Sequence, residues 1–196
     1  MKVLGLTGGV GMGKSASAEL LRSRNVPVVD TDDLARQVVE PGQPALAKVH
    51  AAFGDDIAGP DGRLRRDELA RRVFADPSAR KQLEDILHPL IRALWRAQME
   101  TWRAEGHPLA VVVIPLLFET GAEAEVDATL CVACSTATQR ERLLARGWSP
   151  EQIEQRVQAQ LPIEQKIAQA DCVVWTEAGL DVHVAQLDRI LRRLAA

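Results

Sequence analysis

The chain has 196 residues, of which 46% are hydrophobic and 26% are charged, and its formal net charge is −3. A chain of this length can bury a substantial core, so these values predict one globular protein that needs no disulfide staples. They exclude a strongly basic nucleic-acid binder and a charged membrane-surface protein, because so small a net charge provides no global field. Any anion-binding site must therefore be local.

The first thirty residues predict a β-α-β unit. Residues 2–6 are mainly apolar and predict a strand, residues 14–24 predict a helix, and Asn25 tolerates the left-handed conformation in which helices often end. Residues 26–30 are too short and too apolar for a surface helix, so they predict a second strand. Two strands joined through a helix are expected to be parallel, with a right-handed crossover.

A glycine-rich loop joins the first strand to the first helix. It has the phosphate-binding pattern Gly8-x-x-x-x-Gly13-Lys14-Ser15. The glycines let backbone N–H groups converge, the helix N-terminus adds positive charge, Lys14 can reach the terminal phosphates and the Ser15 hydroxyl can ligate Mg²⁺. A simple glycine turn with a surface lysine is the alternative. The strand-loop-helix context favours a site for a nucleoside triphosphate with Mg²⁺.

Three aspartates lie at the C-terminal end of the second strand, in the segment Asp30-Thr31-Asp32-Asp33. A kinase needs a group that orients and deprotonates the acceptor hydroxyl, and ligands of open α/β sheets gather at the carboxyl ends of strands. If the chain stays extended here, Asp30 and Asp32 share one side and both can face the phosphates. Capping of the following helix by Asp32 or Asp33 is the alternative, and both roles can coexist.

Residues 31–106 have apolar positions at helical spacing and predict a helical insertion. Proline and glycine interrupt this pattern, and each interruption is expected to stop or start a helix. The interruptions are Glu40-Pro41-Gly42, Gly59-Pro60-Asp61-Gly62, Asp76-Pro77 and His88-Pro89. Residues 108–114 then form a continuous apolar run, which is typical of a central parallel strand covered on both faces.

Residues 128–133 predict a fourth strand, which contains the first member of the C-x-x-C pair Cys131 and Cys134. Residues three apart on a strand point to opposite faces, and Cys172 is the only other cysteine, so we interpret these thiols as structural and buried. An odd number of cysteines favours a reducing compartment. Without a visible signal or an apolar run of about 20 residues, we expect a cytoplasmic protein with no membrane or nucleic-acid partner.

Residues 137–168 are rich in arginine, glutamine and glutamate and predict a lid, in which Ser149-Pro150-Glu151-Gln152 supplies a capping box. Residues 171–175 predict a fifth strand, and residues 182–194 a closing helix. The chain therefore predicts an α/β three-layer core with a five-stranded parallel sheet. We assign residues 1–30, 107–136 and 169–196 to the core, 31–106 to the helical insertion and 137–168 to the lid.

The phosphate-binding loop alone is compatible with a switch, a motor or a kinase. The chain has no N-K-x-D stretch of the kind that reads guanine, and it is short for a mechanical ATPase. A small-molecule kinase is therefore the first hypothesis. Kinases acting on a nucleoside monophosphate or a polyol, and a nucleotide-dependent switch, are the alternatives.

Six motifs together resemble the dephospho-coenzyme A kinase family along nearly the whole chain. They are G-L-T-G-G-V-G-M-G-K-S, V-D-T-D-D-L-A-R-Q-V-V-E-P-G, L-H-P-L-I-R, P-L-L-F-E-T-G, Q-R-E-R-L-L-A-R and A-D-C-V-V. The resemblance implies a nucleotide-kinase-like fold with a helical CoA-binding insertion and a lid. It also implies ATP-dependent phosphorylation of the ribose 3'-hydroxyl of dephospho-CoA, a small-molecule substrate, in the last step of CoA synthesis. We expect a monomer or a weak homo-oligomer.

The resemblance also implies site residues. Asp32 would be the base, Lys14 would hold phosphate, and His88 and Arg92, one helical turn apart, would lie near the acceptor. The phosphate cradle would consist of Gly11, Met12, Gly13, Lys14, Ser15 and Ala16, and the acceptor site would include Leu116 and Glu119. Pro89 is expected in the first turn of a helix, which would place His88 at the N-terminus and keep it neutral. A capping or core-facing histidine is the alternative.

The arginines of the predicted lid are Arg140, Arg142 and Arg146, and the last two fall one helical turn apart. A guanidinium on that face can stabilise charge on a transferring phosphoryl group, so Arg142 is the preferred catalytic arginine and Arg146 a second ATP ligand. Ordinary solvated arginines are the alternative.

Four positions depart from the family pattern. Ala16 stands where threonine is commoner, and Val113 stands where many members have an acidic residue. Mg²⁺ should then depend on Ser15, phosphate and water, with Asp30 or Asp32 as a further ligand. Trp175-Thr176 replaces the usual polar pair near the adenine. Trp175 is therefore predicted to stack on or border the base, with a tryptophan at the edge of the core as the alternative.

Overall fold

The computed structural model describes residues 1–195. The chain forms two compact units, one made of Met1–Asp30 together with the chain from Met99 onward, and the other of Thr31–Gln98. Among the described residues, no helix is both long enough and apolar enough to cross a membrane. The predicted division into core, insertion and lid stays a prediction.

The first unit contains a five-stranded sheet in which every neighbouring pair is parallel. The strands are β1 (Lys2–Gly8), β2 (Val28–Asp30), β3 (Leu109–Val113), β4 (Ala128–Ala133) and β5 (Cys172–Trp175), in the spatial order β2-β3-β1-β4-β5. The predicted α/β class and parallel sheet are confirmed. Because the strands are parallel, their carboxyl ends lie along one edge of the sheet, which is where such folds bind ligands.

The central strands form because their sequences are apolar on both faces. All of β1 beyond Lys2 is buried, and so are Ala110 to Val113 of β3 and Thr129 to Ala133 of β4. Helices cover this sheet, and each fully buried leucine or valine side chain contributes about 1.5–3 kcal/mol relative to its exposed state. The core cluster consists of Leu4, Leu6, Ala18, Leu21, Val111, Val113, Leu130, Val132, Val174, Leu187 and Ile190.

The helices that belong wholly to the first unit follow the phosphate loop and the later strands. They are α1 (Lys14–Arg22), α6 (Thr136–Ala145), α7 (Pro150–Gln158), α8 (Ile163–Gln169) and α9 (Leu180–Ala195). The predicted capping box begins α7, because the Ser149 hydroxyl accepts from the Gln152 amide and the Gln152 side chain accepts from the Ser149 amide. A buried hydrogen bond of 2.8 Å between Ser17 Oγ and His183 Nε2 joins α1 to α9.

The second unit is helical. It contains α2 (Thr31–Gln37), α3 (Pro44–Phe53), α4 (Arg66–Ala75) and the greater part of α5 (Pro77–Ala104). Asp76 separates α4 from α5, and its carboxylate accepts from the Ser78 amide at 2.8 Å at the start of α5. Ion pairs from Arg72 to Glu68 and Asp56 and from Arg66 to Glu40 connect its elements.

The prediction that His88-Pro89 interrupts a helix is wrong. Pro89 lies inside α5, which runs unbroken over 28 residues. Proline cannot donate to the Asp85 carbonyl, but the buried face continues beyond it through Ile91 and Trp95. His88 is therefore not at a helix N-terminus, and the argument that helix-end charge keeps it neutral does not apply.

The expectation of an extended Asp30–Asp33 segment is also wrong. β2 ends at Asp30 and α2 begins at Thr31, so the alternation that would place Asp30 and Asp32 on one side is absent. Asp32 and Asp33 instead occupy the first turn of α2, where acidic residues complement the helix dipole. The position before the helix, where a cap would stand, belongs to Asp30.

Candidate active site

The phosphate loop lies between the end of the central strand β1 and the start of α1. Gly8 has φ 147°, and a Cβ there would stand 2.2 Å from the Val132 carbonyl oxygen, so no other residue fits. Gly13 has φ 103°, in the left-handed region, and is the N-cap of α1. Glycine at these two positions brings the loop against β4 and turns it into the helix, whose first amides are then directed at one point.

Lys14 and Ser15 begin α1 at the open side of this loop. The Lys14 ammonium donates to the Gly8 carbonyl at 2.9 Å and to the Gly9 carbonyl at 3.0 Å, so its charge lies along the loop. Ser15 and Ala16 are exposed, whereas Ser17 is buried. The first turn thus presents a hydroxyl, an ammonium group and the positive end of a helix dipole together, which is an arrangement suited to a polyphosphate.

Arg142 of α6 contacts the segment that follows β5. Its Nη1 donates to Thr176 Oγ1 at 2.9 Å and its Nη2 to the Thr176 carbonyl at 2.5 Å. Thr176 Oγ1 in turn donates to the Met12 carbonyl of the phosphate loop at 2.9 Å. The predicted catalytic arginine is therefore joined to the loop through a single buried threonine. Arg146, which caps α6, is exposed.

Trp175 stands at the end of β5 with its side chain held in one orientation. The indole N–H donates to Glu177 Oε2 at 2.7 Å, and Trp175 is 41% exposed. The other carboxylate oxygen of Glu177 accepts from the Ser135 amide at 3.2 Å and from Thr138 Oγ1 at 2.9 Å. These donors lower the pKa of Glu177 to about 2, so the carboxylate stays ionised at neutral pH and keeps the indole in place.

The cysteines supply no reactive thiol to this site, although Cys134 is hydrogen-bonded to Thr176. Cys131 and Cys134 are buried and form no disulfide, and burial raises the pKa of Cys131 to about 11 and also raises that of Cys134. Both thiols therefore stay protonated at neutral pH, which makes them poor nucleophiles.

The predicted acceptor residues are distributed over both units. Asp32 is exposed on α2, while His88 and Arg92 are half-buried on α5 one turn apart. Leu116 and Glu119 follow β3 in the first unit, and Glu119 is occupied by other groups: its Oε1 lies 2.7 Å from Lys166 Nζ and accepts from the Leu161 amide at 2.8 Å. The acceptor roles of all five residues stay predictions.

Comparison with known proteins supports the same chemistry. The sequence model of the dephospho-CoA kinase family matches residues 2–181. A dephospho-CoA kinase from Anaeromyxobacter dehalogenans is 47% identical over 195 residues, which cover 99% of this chain and 92% of that protein. Another, from Methylococcus capsulatus, is 44% identical and is matched over 100% of both chains.

The chain belongs to the dephospho-CoA kinase family.

The crystal structure of TT1252 from Thermus thermophilus resembles this member of the dephospho-CoA kinase family along almost its full length. Its TM-score is 0.82 at 37% identity, with 98% of this chain and 97% of that chain covered. The family membership confirms the resemblance inferred from the six motifs, and it makes the chain an enzyme of the kinase class.

Several residues that shape this kinase site carry no local signal in the sequence. Thr176 and Glu177 follow β5 as an ordinary polar pair, although they hold Arg142 and Trp175.

Gln139 and Gln160 lie in a polar segment where glutamines are usually solvated, yet both bond to the backbone of the phosphate loop. An isolated lysine, Lys166, is fully buried. Only contacts between residues distant in sequence distinguish these side chains from surface ones.

Proposed function

We propose that this protein transfers the terminal phosphoryl group of ATP to the ribose 3'-hydroxyl of dephospho-CoA and releases CoA and ADP, the last step of CoA synthesis. The bond between the γ-phosphorus and the β,γ-bridging oxygen breaks, a bond from the 3'-oxygen to that phosphorus forms, and the hydroxyl proton leaves to a base. The observation that carries the proposal is the Gly8–Ser15 loop at the end of the central strand, in a chain whose family match spans residues 2–181.

In this proposal the loop from Gly11 to Ala16 holds the ATP phosphates. Backbone N–H groups and the N-terminus of α1 stabilise the negative charge, and Lys14 turns from its loop carbonyls towards the terminal phosphates. In-line transfer of the γ-phosphoryl group then requires mainly that the two substrates are positioned and that the negative charge is stabilised.

Mg²⁺ fits this site through the Ser15 hydroxyl. The hydroxyl is a hard oxygen donor in the exposed first turn of α1, and Mg²⁺ usually binds through one or two protein ligands together with phosphates and waters. Among the described residues, no cluster of three or more His, Cys, Asp or Glu could hold a metal ion by itself, which fits an ion bound mainly by substrate. When bound, Mg²⁺ would neutralise charge on the phosphates.

We assign the acceptor side to Asp32, His88, Arg92, Leu116 and Glu119. Asp32 is the proposed base, since its carboxylate is exposed in the first turn after β2 and can receive the proton of the 3'-hydroxyl. His88 and Arg92 share a face of α5 and would contact dephospho-CoA.

We assign charge stabilisation during transfer to Arg142, with Arg146 as a further contact to ATP. The support is that Arg142 is already held beside the phosphate loop through Thr176 and the Met12 carbonyl. A guanidinium fixed in this way loses little conformational freedom when it stabilises a transferring phosphoryl group.

The reaction is tested by product analysis. Incubation with ATP, Mg²⁺ and dephospho-CoA should yield CoA and ADP in equal amounts by mass spectrometry, with nucleoside monophosphates unchanged. A preference for nucleoside monophosphates would favour a different small-molecule kinase. Nucleotide binding without turnover of any acceptor would favour a switch.

We further propose that Trp175 borders the adenine of ATP. In the variant Trp175→Phe, we expect the change in tryptophan fluorescence on ATP binding to be lost and the Kd for ATP to rise about two- to fivefold, because the smaller phenyl ring keeps only part of a stacking contact that contributes about 0.5–1.5 kcal/mol. Fluorescence titration and calorimetry measure the two effects.

The matched control is Trp102→Phe, which changes a half-buried tryptophan of α5 and should retain both the signal and the affinity. If Trp175→Phe keeps the wild-type fluorescence change and the wild-type Kd, Trp175 is only a residue at the edge of the core.

A further inference from the structure

Lys166 of α8 is a charged side chain that is completely buried. It is 0% exposed, and its ammonium group lies 2.6 Å from the Pro115 carbonyl and 2.7 Å from Glu119 Oε1. Burying an ammonium group is costly unless its charge is paired and hydrogen-bonded, and here Glu119 pairs the charge while the Pro115 carbonyl accepts a hydrogen bond. The position of Lys166 is therefore tightly determined by the segment that follows β3.

The carboxylate of Glu119 extends this contact to the link between α7 and α8. Its side chain is only 18% exposed, and the oxygen that pairs with Lys166 also accepts from the Leu161 amide at 2.8 Å. One buried ion pair thus fixes the backbone of Leu161 to the segment after β3, although Leu161 and Glu119 are 42 positions apart.

The residue before Leu161 contacts the phosphate loop. Gln160 Oε1 accepts from the Val10 amide at 3.0 Å, and Gln139 Nε2 donates to the Val10 carbonyl at 2.8 Å. Val10 lies between Gly8 and Gly13, so two glutamine side chains determine how the peptide groups at the outer end of the loop are turned. The amides that face phosphate depend on that orientation.

The base of the loop is attached to the same point. Thr7, one residue before Gly8, donates its hydroxyl to the Pro115 carbonyl at 3.1 Å, and this carbonyl is also the acceptor for Lys166. The Lys166 ammonium is therefore connected to both ends of the phosphate loop. Its contact with Pro115 leads to the start of the loop. Its contact with Glu119 leads through the backbone of residues 160–161 to the outer end of the loop.

We propose that Lys166 is a positioning residue for ATP, and that the chain of contacts from Lys166 through Glu119 and Gln160 to Val10 keeps the phosphate loop in its binding conformation. Lys166 contacts no reacting atom in this proposal. A loop fixed before binding loses less conformational freedom when ATP enters, so the contacts raise affinity for ATP without adding a contact to it. The inference rests on the proposed function in that ATP is taken as the phosphate donor.

The test is a double-mutant cycle on ATP affinity measured by calorimetry. Gln160→Met removes the acceptor of the Val10 amide, and Lys166→Met removes the ammonium group while retaining most of the volume. Each should raise the Kd for ATP about five- to tenfold, the size expected for the loss of about one hydrogen bond. The double variant should be no weaker than the weaker single variant, because both substitutions break the same chain of contacts.

The matched control makes the same substitution at an exposed lysine. Lys48→Met, the same chemical change at an exposed lysine of α3, should leave the Kd for ATP at the wild-type value. The KM for dephospho-CoA should stay within twofold of wild type in Gln160→Met, which leaves the Glu119 carboxylate and its partner Lys166 unchanged. If Lys166→Met fails to fold, Glu119→Gln replaces it in the cycle, because it keeps the shape of the partner and removes its charge.

Three results would overturn the proposal. They are a Kd for ATP within twofold of wild type in a folded Lys166 or Glu119 variant, effects that multiply in the double variant, and a rise in the KM for dephospho-CoA with an unchanged Kd for ATP, which would leave Glu119 with its proposed acceptor role alone. The product analysis of the wild-type enzyme decides the proposed function separately. If the wild type binds ATP but does not phosphorylate dephospho-CoA, that function fails, while the ratios of Kd between variants still decide the role of Lys166.

Discussion

Replacing Lys14 by methionine should lower kcat/KM for phosphoryl transfer by about 10²- to 10³-fold, the range seen when one fixed donor to a developing negative charge is removed. The ammonium group lies along the phosphate loop, held by the Gly8 and Gly9 carbonyls. Methionine keeps the length of the side chain but not its charge. Steady-state kinetics with ATP and dephospho-CoA measures the effect.

Both binding and chemistry should be affected in Lys14→Met, because the lysine holds the terminal phosphates in the ground state and in the transition state. The variant should also bind ATP less tightly by calorimetry, while thermal unfolding without nucleotide stays close to wild type. A kcat/KM within tenfold of wild type would contradict the assignment of Lys14 to the transferred phosphate.

Replacing Asp32 by asparagine should lower kcat by about 10²- to 10⁴-fold, the contribution typical of a positioned general base. The asparagine is nearly the same size, but it cannot accept the proton of the 3'-hydroxyl. The Kd for ATP measured without Mg²⁺ should not change, since the proposed role of Asp32 as a base concerns only the acceptor. Kinetics at saturating substrates combined with calorimetry separates the two quantities.

Asp33→Asn is the matched control for this experiment. Asp33 is the next residue of the same first turn and is paired with Arg36 at 3.0 Å, so its substitution makes the same charge change one position away. It should retain kcat within about threefold, because a surface pair of this kind contributes little. If Asp32→Asn keeps a nearly wild-type kcat, Asp32 only stabilises the start of α2. If Asp33→Asn is inactive in the same experiment, Asp33 is the base.

The sheet and the phosphate loop were predictable because their signals are local. Buried parallel strands are continuous apolar runs, and the β3 and β4 runs predicted at 108–114 and 128–133 agree with Leu109–Val113 and Ala128–Ala133. The glycine pattern was predictable because Gly8 and Gly13 have positive φ values, a local backbone conformation that favours glycine. The Ser149 capping box was predictable for the same reason, since both of its hydrogen bonds lie within four residues.

The continuous helix α5 was not predictable, because a local rule and a tertiary effect compete there. A proline inside a helix costs about 3 kcal/mol. Burial of large side chains beyond it contributes about 1.5–3 kcal/mol each, and Ile91, Trp95 and Met99, at intervals of four, are all buried. Their sum exceeds the penalty, so the helix continues and the expected break at His88-Pro89 does not occur.

The side chains that fix the phosphate loop were missed for a different reason. Gln139, Gln160 and Lys166 belong to a polar stretch in which each of them is indistinguishable from a solvated residue. Their partners Val10, Pro115 and Glu119 lie far away in the sequence, so only the folded chain reveals the contacts. Residue spacing in a sequence does not identify site residues that act through contacts with distant parts of the chain.

The position of β1 also determines when the protein can first fold during synthesis. This strand is made first, yet its two neighbours are residues 109–113 and 128–132. A nascent polypeptide on the ribosome therefore carries an apolar segment with both hydrogen-bonding edges open until β3 has been translated. Unpaired apolar edges promote aggregation, so the amino-terminal segment is where newly made chains should depend most on chaperones.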